Sequence, residues 1–176
     1  MLVSSLFRLI GPRLIFAGIF LLCSIGLAYA LYAQYFNGAE PCPLCIAQRV
    51  FYAVIGLIAG IALIHKPHRW GNLVYALLIT IVSLFALKIA HHHVWLQSLP
   101  PAEWPASCGM PLEVLYQRIP LSGFLKVILA GTAECASIEW KIFGLPAPLV
   151  SMWGFATVTI GSVCIMLYSL IQRQKT

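Results

Sequence analysis

Cys42-Pro43-Leu44-Cys45 is a C-x-x-C pair, and Arg49 follows four residues after its second cysteine. Three chemistries use such a pair. A c-type haem attachment needs His directly after the second Cys, and residue 46 is Ile. A zinc site needs further ligands at suitable spacing. No second C-x-x-C exists, but His91-His92-His93 could supply nitrogen ligands. A redox dithiol needs only the pair and a means of favouring the thiolate, which is the reactive form. That means is present. Cys45 is expected in the first turn of an apolar helix, where the helix dipole favours negative charge. Arg49 lies one turn on, on the same face. A charge at a membrane boundary is costly without a purpose, so Arg49 is read as a partner of the Cys45 thiolate or of an anionic ligand beside it rather than as a snorkelling side chain. The redox pair is the preferred reading.

Four other cysteines occur, at 23, 108, 135 and 164. Cys23 and Cys164 sit inside long apolar runs and read as small buried hydrophobes. Cys108 and Cys135 fall in a long polar connection. With Cys42 and Cys45 they allow three pairings, of which Cys42–Cys45 with Cys108–Cys135 is the simplest. In an oxidising compartment the second pair could be a structural staple or a second reactive dithiol. Two pairs in series would form a thiol–disulfide relay, with the pair in the Pro-rich loop suited to a soluble partner and the pair at the membrane surface to a lipid-soluble one.

The elements that must position these residues follow from composition. Of 176 residues, 61% are hydrophobic and only 9% charged, with a mean hydropathy of +0.91. A soluble domain carries roughly 25% charged residues, so a soluble globular chain is excluded, and a disordered one more so. The net charge of +6 does not signal nucleic-acid binding, because the basic residues are scattered singly rather than clustered on one face. A single membrane domain over 1–176 is expected, with apolar spans over about 14–33, 46–64, 72–90 and 147–171, each near the roughly 20 residues that cross a bilayer. Arg8, Arg13, Lys66, Arg69, Arg173 and Lys175 all flank one side. The positive-inside rule makes that side cytoplasmic, with both termini. The connections over about 35–45 and 91–146, and all four polar-segment cysteines, then face outward. The first span resembles a signal peptide ending in Ala28-Tyr29-Ala30, but its apolar core is longer than the roughly 7–15 residues of such a signal, so an uncleaved anchor is expected. Within the second connection, apolar residues at 121, 124, 125, 128 and 129 form a helical stripe too short to span. It is expected to be a short helix lying in the interface.

Taken together, Pro41-Cys42-x-Leu44-Cys45-Ile46-x-x-Arg49, His93-x-x-Leu96-Gln97-x-x-Pro100, Cys108 and Cys135-Ala136-x-x-x-Trp140-x-x-x-Gly144-Leu145 resemble the DsbB family, over nearly the whole chain. That family comprises bacterial inner-membrane thiol oxidases. The resemblance implies an all-α, antiparallel four-span bundle that reoxidises a periplasmic DsbA-like disulfide donor and passes the electrons to ubiquinone or menaquinone. By the same resemblance Cys108 is the cysteine attacked by the partner, and Cys135 is released by that attack. Cys42 mediates exchange between the loops, and Cys45 is the thiolate facing the quinone. Arg49 holds a quinone oxygen, and His93 lies near the quinone, although three consecutive histidines leave open which one lines the site. Gln48 receives no role.

Two alternatives accompany this reading. A vitamin K epoxide reductase-like enzyme also sets a C-x-x-C beside a quinone in a four-helix bundle, but in that family the C-x-x-C comes late in the chain. A non-enzymatic membrane metal-binding protein would use Cys42, Cys45 and His91–His93.

Overall fold

The computed structural model describes residues 11–105, 120–137, 141–142 and 144–171. Cys108 lies outside the described residues, as do Arg8, Arg173 and Lys175, on which the orientation argument leans.

Among the described residues four helices are long and apolar enough to cross a membrane. Helix α1 spans Pro12–Asn37 and ends on Gly38 in the left-handed conformation. Helix α2 spans Pro43–His65. Its first residue is Pro43, whose fixed φ and missing N–H suit the first helical position. Helix α3 spans Arg69–Gln97. It continues past the span expected over 72–90, because nothing between Ala90 and Gln97 breaks a helix and the first proline is Pro100. The three histidines are therefore helical, and successive residues point about 100° apart. A single 3₁₀ turn follows at Pro101–Glu103. Then come α4, Leu121–Ala130, and the one-turn α5, Ala133–Ala136. The two-residue strands β1 (Lys141–Ile142) and β2 (Leu145–Pro146) pair antiparallel, with Lys141 opposite Pro146. They lead directly into α6, Ala147–Ile171.

The four long helices close a ring in the order α1, α2, α3, α6, with α3 and α6 packed most extensively. Phe16, Ile19, Cys23, Ile55, Ile79 and Ile165 are among the side chains that fill the centre. Small residues Ala59, Ala76 and Ala86 are fully buried between them. Lipid tails are as apolar as Leu, so the backbones must approach closely for packing to favour association. Large apolar side chains such as Ile25, Leu57, Leu84 and Ile160 face outward instead, as a bundle solvated by lipid requires. Halfway along, hydroxyls tie α3 to α6. Thr80 Oγ1 meets Ser162 Oγ at 2.8 Å, and Thr159 Oγ1 donates to Ser83 Oγ at 2.9 Å.

The segment holding Cys135 is seated through Gly131. Its φ of +79° is a left-handed conformation, and an added Cβ would lie 2.6 Å from Leu96 Cδ1 and 2.9 Å from Leu44 Cδ1. Only glycine accepts that backbone at that distance. Leu44, Leu96, Cys135 and Ala136 then form a small buried cluster of their own, which fixes α5 against the start of α2 and the end of α3.

Candidate functional site

The start of α2 organises the site. A helix N-terminus leaves its first N–H groups without intrahelical partners. Here sulfur atoms take them. Cys42 is the N-cap in extended conformation, and its Sγ accepts from the Cys45 N–H at 3.4 Å. The Cys135 sulfur accepts from the backbone N–H of Leu44 and of Thr132. All five described cysteines, at 23, 42, 45, 135 and 164, are free thiols.

Cys42 is the hub of the sulfur cluster. Its Sγ lies 3.2 Å from Cys45 Sγ and 3.7 Å from His93 Nε2. Its thiol also hydrogen-bonds to Cys135. The donation to Cys135, then that to Cys45, then burial push the Cys42 thiol well above its ordinary range. The same donation acts in the opposite sense on Cys135. There the hydrogen bond from Cys42, backed by backbone N–H groups, outweighs burial and lowers the thiol to about 6. Cys42 thus keeps its proton, and the thiolate is favoured on Cys135, a cysteine from the other connection.

His93 is 1% exposed. Gln48 Nε2 donates to its Nδ1 at 3.0 Å, which leaves the proton on Nε2, facing Cys42 and the Cys135 backbone. Arg49 donates to the side-chain oxygen of Gln34 and, at 3.1 Å, to the Ala30 carbonyl. Both acceptors are neutral, so they orient the guanidinium without cancelling its charge.

Beside this cluster is a cavity of about 770 Å³. Cys42, Cys45, Arg49, His93 and Gln97 line its polar end, and residues of α1 and α6 such as Ile25 and Val150 its apolar wall. Ile25 and Tyr29 line it while being exposed on the outside of the bundle. The cavity thus reaches the outer surface of the bundle at α1.

Cys42, Cys45, Arg49, His93 and Cys135 are thus brought together. The other two histidines are not. His92 bonds through Nε2 to the Ala130 carbonyl at 3.0 Å and stacks on Trp95, and His91 is exposed in a groove beside Lys88 and Trp153. Sequence reasoning missed three glutamines. Gln48 lies three residues after Cys45, hence on the same helical face, and is a polar residue in an otherwise apolar run; that was a readable signal. Gln34 supports Arg49 from another helix, which only the fold reveals. Gln97 lines the cavity, and its Oε1 is buried without a partner among the described residues.

The family model "Disulfide bond formation protein DsbB" matches residues 12–165. A disulfide bond formation protein B of Acinetobacter baylyi is 41% identical over 159 residues, covering 89% of this chain and 90% of that protein. One from Methylococcus capsulatus is 45% identical over 129 residues, 73% of this chain and 78% of the relative. One from Stutzerimonas stutzeri is 36% identical over 166 residues, 94% and 99% of the two chains. With its four apolar helices and its thiol cluster at one end of them, the chain belongs to the DsbB family and is a multi-pass membrane oxidoreductase of disulfide bond formation.

Proposed function

We propose that this protein oxidises the dithiol of a periplasmic DsbA-like disulfide donor and delivers the electrons to membrane quinone. The orientation follows the charge asymmetry of the sequence: termini in the cytoplasm, cysteine cluster at the periplasmic face of the inner membrane. The observation that carries the reading is the position of Cys42, in contact with both Cys45 and Cys135.

The exchange runs through the chain's own sulfurs. A partner thiolate attacks Cys108 of the Cys108–Cys135 disulfide. A mixed disulfide forms, and Cys135 leaves as a thiolate. The partner's second thiol then attacks the mixed disulfide, which completes the partner's disulfide and frees Cys108. Next Cys135 attacks Cys42 of the Cys42–Cys45 disulfide, and Cys45 leaves. Attack of Cys108 on Cys135 restores the loop disulfide and returns Cys42 as a thiol. Two electrons and two protons now reside on Cys42 and Cys45. The backbone N–H groups of Leu44 and Thr132 that meet the Cys135 sulfur favour its thiolate whether or not Cys42 carries a proton, which suits Cys135 both as leaving group and as attacking thiolate.

A quinone fits the cavity by volume, by its apolar wall and by its opening at the outer surface of the bundle; a pocket of 300–1,000 Å³ holds a drug-sized ligand. Bound there, a quinone supplies a two-electron, two-proton acceptor. Arg49 would hold one of its oxygens beside Cys45, and His93 would line the site. The helix start and the Arg49 charge both favour the Cys45 thiolate. The test uses purified enzyme, reduced DsbA-like protein and quinone. Cys108→Ser is expected to block the mixed disulfide, Cys45→Ser to block quinone reduction, and either to abolish turnover. Normal turnover in Cys45→Ser would refute the proposal.

A further inference from the structure

We infer that the reduced site is also a reversible trap for a soft divalent cation of the zinc class, held by the sulfurs of Cys42 and Cys45 and by His93 Nε2. The three ligand atoms lie within 4.8 Å of one another. Tetrahedral zinc, with bonds of about 2.3 Å to sulfur and 2.0–2.1 Å to nitrogen, sets its ligands about 3.8 Å apart for a sulfur pair and about 3.5 Å for sulfur and nitrogen. The site offers 3.2 Å between the sulfurs and 3.7 Å from Cys42 Sγ to Nε2. Opening the thiol pair by about half an ångström gives the sulfur–sulfur spacing, and Cys45 Sγ, within 4.8 Å of Nε2, closes the third edge by a side-chain movement of about an ångström or less.

The donor set selects the metal class. Two thiolates and an imidazole suit zinc and its soft neighbours, whereas calcium and magnesium need oxygen ligands. A metal-bound histidine ordinarily has its other ring nitrogen fixed by a hydrogen bond. Gln48 provides this at 3.0 Å on Nδ1. Turning the Gln48 amide over presents its oxygen to Nδ1–H and, with loss of the ring's hydrogen bond to the Cys135 backbone, frees the Nε2 lone pair for metal. Among the described residues Arg49 is the one permanent cation lining the site; it opposes a second positive charge, although Gln34 and the Ala30 carbonyl hold its guanidinium towards α1.

Binding releases the two thiol protons and transfers no electrons. The Cys42–Cys45 disulfide has no thiolate to offer, so only the dithiol binds, and bound metal holds the centre reduced. That consequence rests on the proposed redox role of the pair; the chelation itself does not.

The experiment titrates Zn²⁺ into full-length, metal-free protein in lipid nanodiscs, reading free metal with a chromophoric chelator. Co²⁺ is titrated in parallel for its sulfur-to-metal charge-transfer band. One equivalent is expected in the reduced protein and none in the oxidised protein. Cys45→Ser and His93→Ala should each weaken binding by more than tenfold, and Gln48→Leu by about 10–100-fold. Cys23→Ala should leave it unchanged. Arg49→Leu should tighten zinc binding, the opposite of its expected effect on quinone reduction, so the two readings fail separately. Equal zinc binding by oxidised and reduced protein would overturn the inference. So would unchanged affinity in both His93→Ala and Gln48→Leu.

Discussion

Cys23 and Cys45 lie on neighbouring helices of one bundle, and only the second is built to react. Cys23 sits mid-helix, 1% exposed, packed where α1 meets Gly56 of α2. Its neighbours are apolar, and its own helix has already used the nearby backbone groups. Cys45 sits in the first turn of α2, with a sulfur partner at 3.2 Å, a guanidinium one turn on and a cavity in front. The same contrast separates the two halves of the bundle. Around Cys23 small side chains let the helices close. Around Cys45 the long polar side chains Gln48, Arg49, His93 and Gln97 surround a void instead, with Gln34 holding Arg49. Reactivity here is a property of place along the helix, not of residue type.

The largest expected effect tests that contrast directly. Cys42→Ala should abolish thiol oxidation. Cys23→Ala should keep full turnover and lose only about 1 kcal/mol of stability from the small cavity left behind. Turnover assays paired with thermal unfolding in detergent read both. A folded but inactive Cys23→Ala protein would break the comparison.

Next in size is Arg49→Leu. A hydrogen bond to a charged group contributes about 1.5–3 kcal/mol, so quinone reduction should fall roughly 10–100-fold with the thiol-exchange steps intact. Arg49→Lys should recover only part of this, since an ammonium cannot reproduce the planar fork that reaches both Gln34 and Ala30. Single-turnover measurements separate exchange from quinone reduction.

These residues were not equally legible in the sequence. Cys42, Cys45 and Arg49 could be read because their relation is local: three residues, four residues and one helix end. The four apolar helices were legible because hydropathy is local too. His93 could be separated from His91 and His92 only once α3 was known to continue to Gln97, for then its phase on the helix picks one face. Gln34 gave no signal and Gln97 none beyond its place in the family motif, because their importance comes from helices distant in sequence. Proximity of Cys42 to Cys135 depends on a contact between the two connections and on Gly131, neither of which has a sequence period.

That contact yields a smaller and sharper test. In reduced protein lacking Cys23, Cys45, Cys108 and Cys164, ultraviolet thiolate absorbance should rise through pH of about 6 as Cys135 ionises. Cys42→Ala removes the largest cause of the lowering, so the midpoint should move up towards the ordinary thiol range. Gly131→Ala should move it the same way without touching a cysteine. A left-handed alanine costs about 1–2 kcal/mol, and its Cβ would meet Leu96 and Leu44, lifting α5 from the start of α2. Transfer between the cysteine pairs should slow, while oxidation of Cys42 and Cys45 by quinone stays normal.

The smallest effect belongs to the closed half. Thr80, Ser83, Thr159 and Ser162 are polar like the residues around Cys45, yet they bond one another and do not line the cavity beside it. Thr159 Oγ1 reaches Ser83 Oγ at 2.9 Å and its own-helix Phe155 carbonyl at 2.8 Å. Hydrogen bonds between membrane helices average only about 0.6 kcal/mol, because the separated helices find other partners. Thr159→Val keeps the branched shape and removes the donor, so it should lower stability by about that amount and leave turnover and the Cys135 titration unchanged. A tenfold loss of turnover would mean that the hydroxyl knot reaches the cysteine end through α3, which also carries His93. An unchanged rate would show that a polar cluster in this bundle becomes chemical only where a helix start and a cavity meet it.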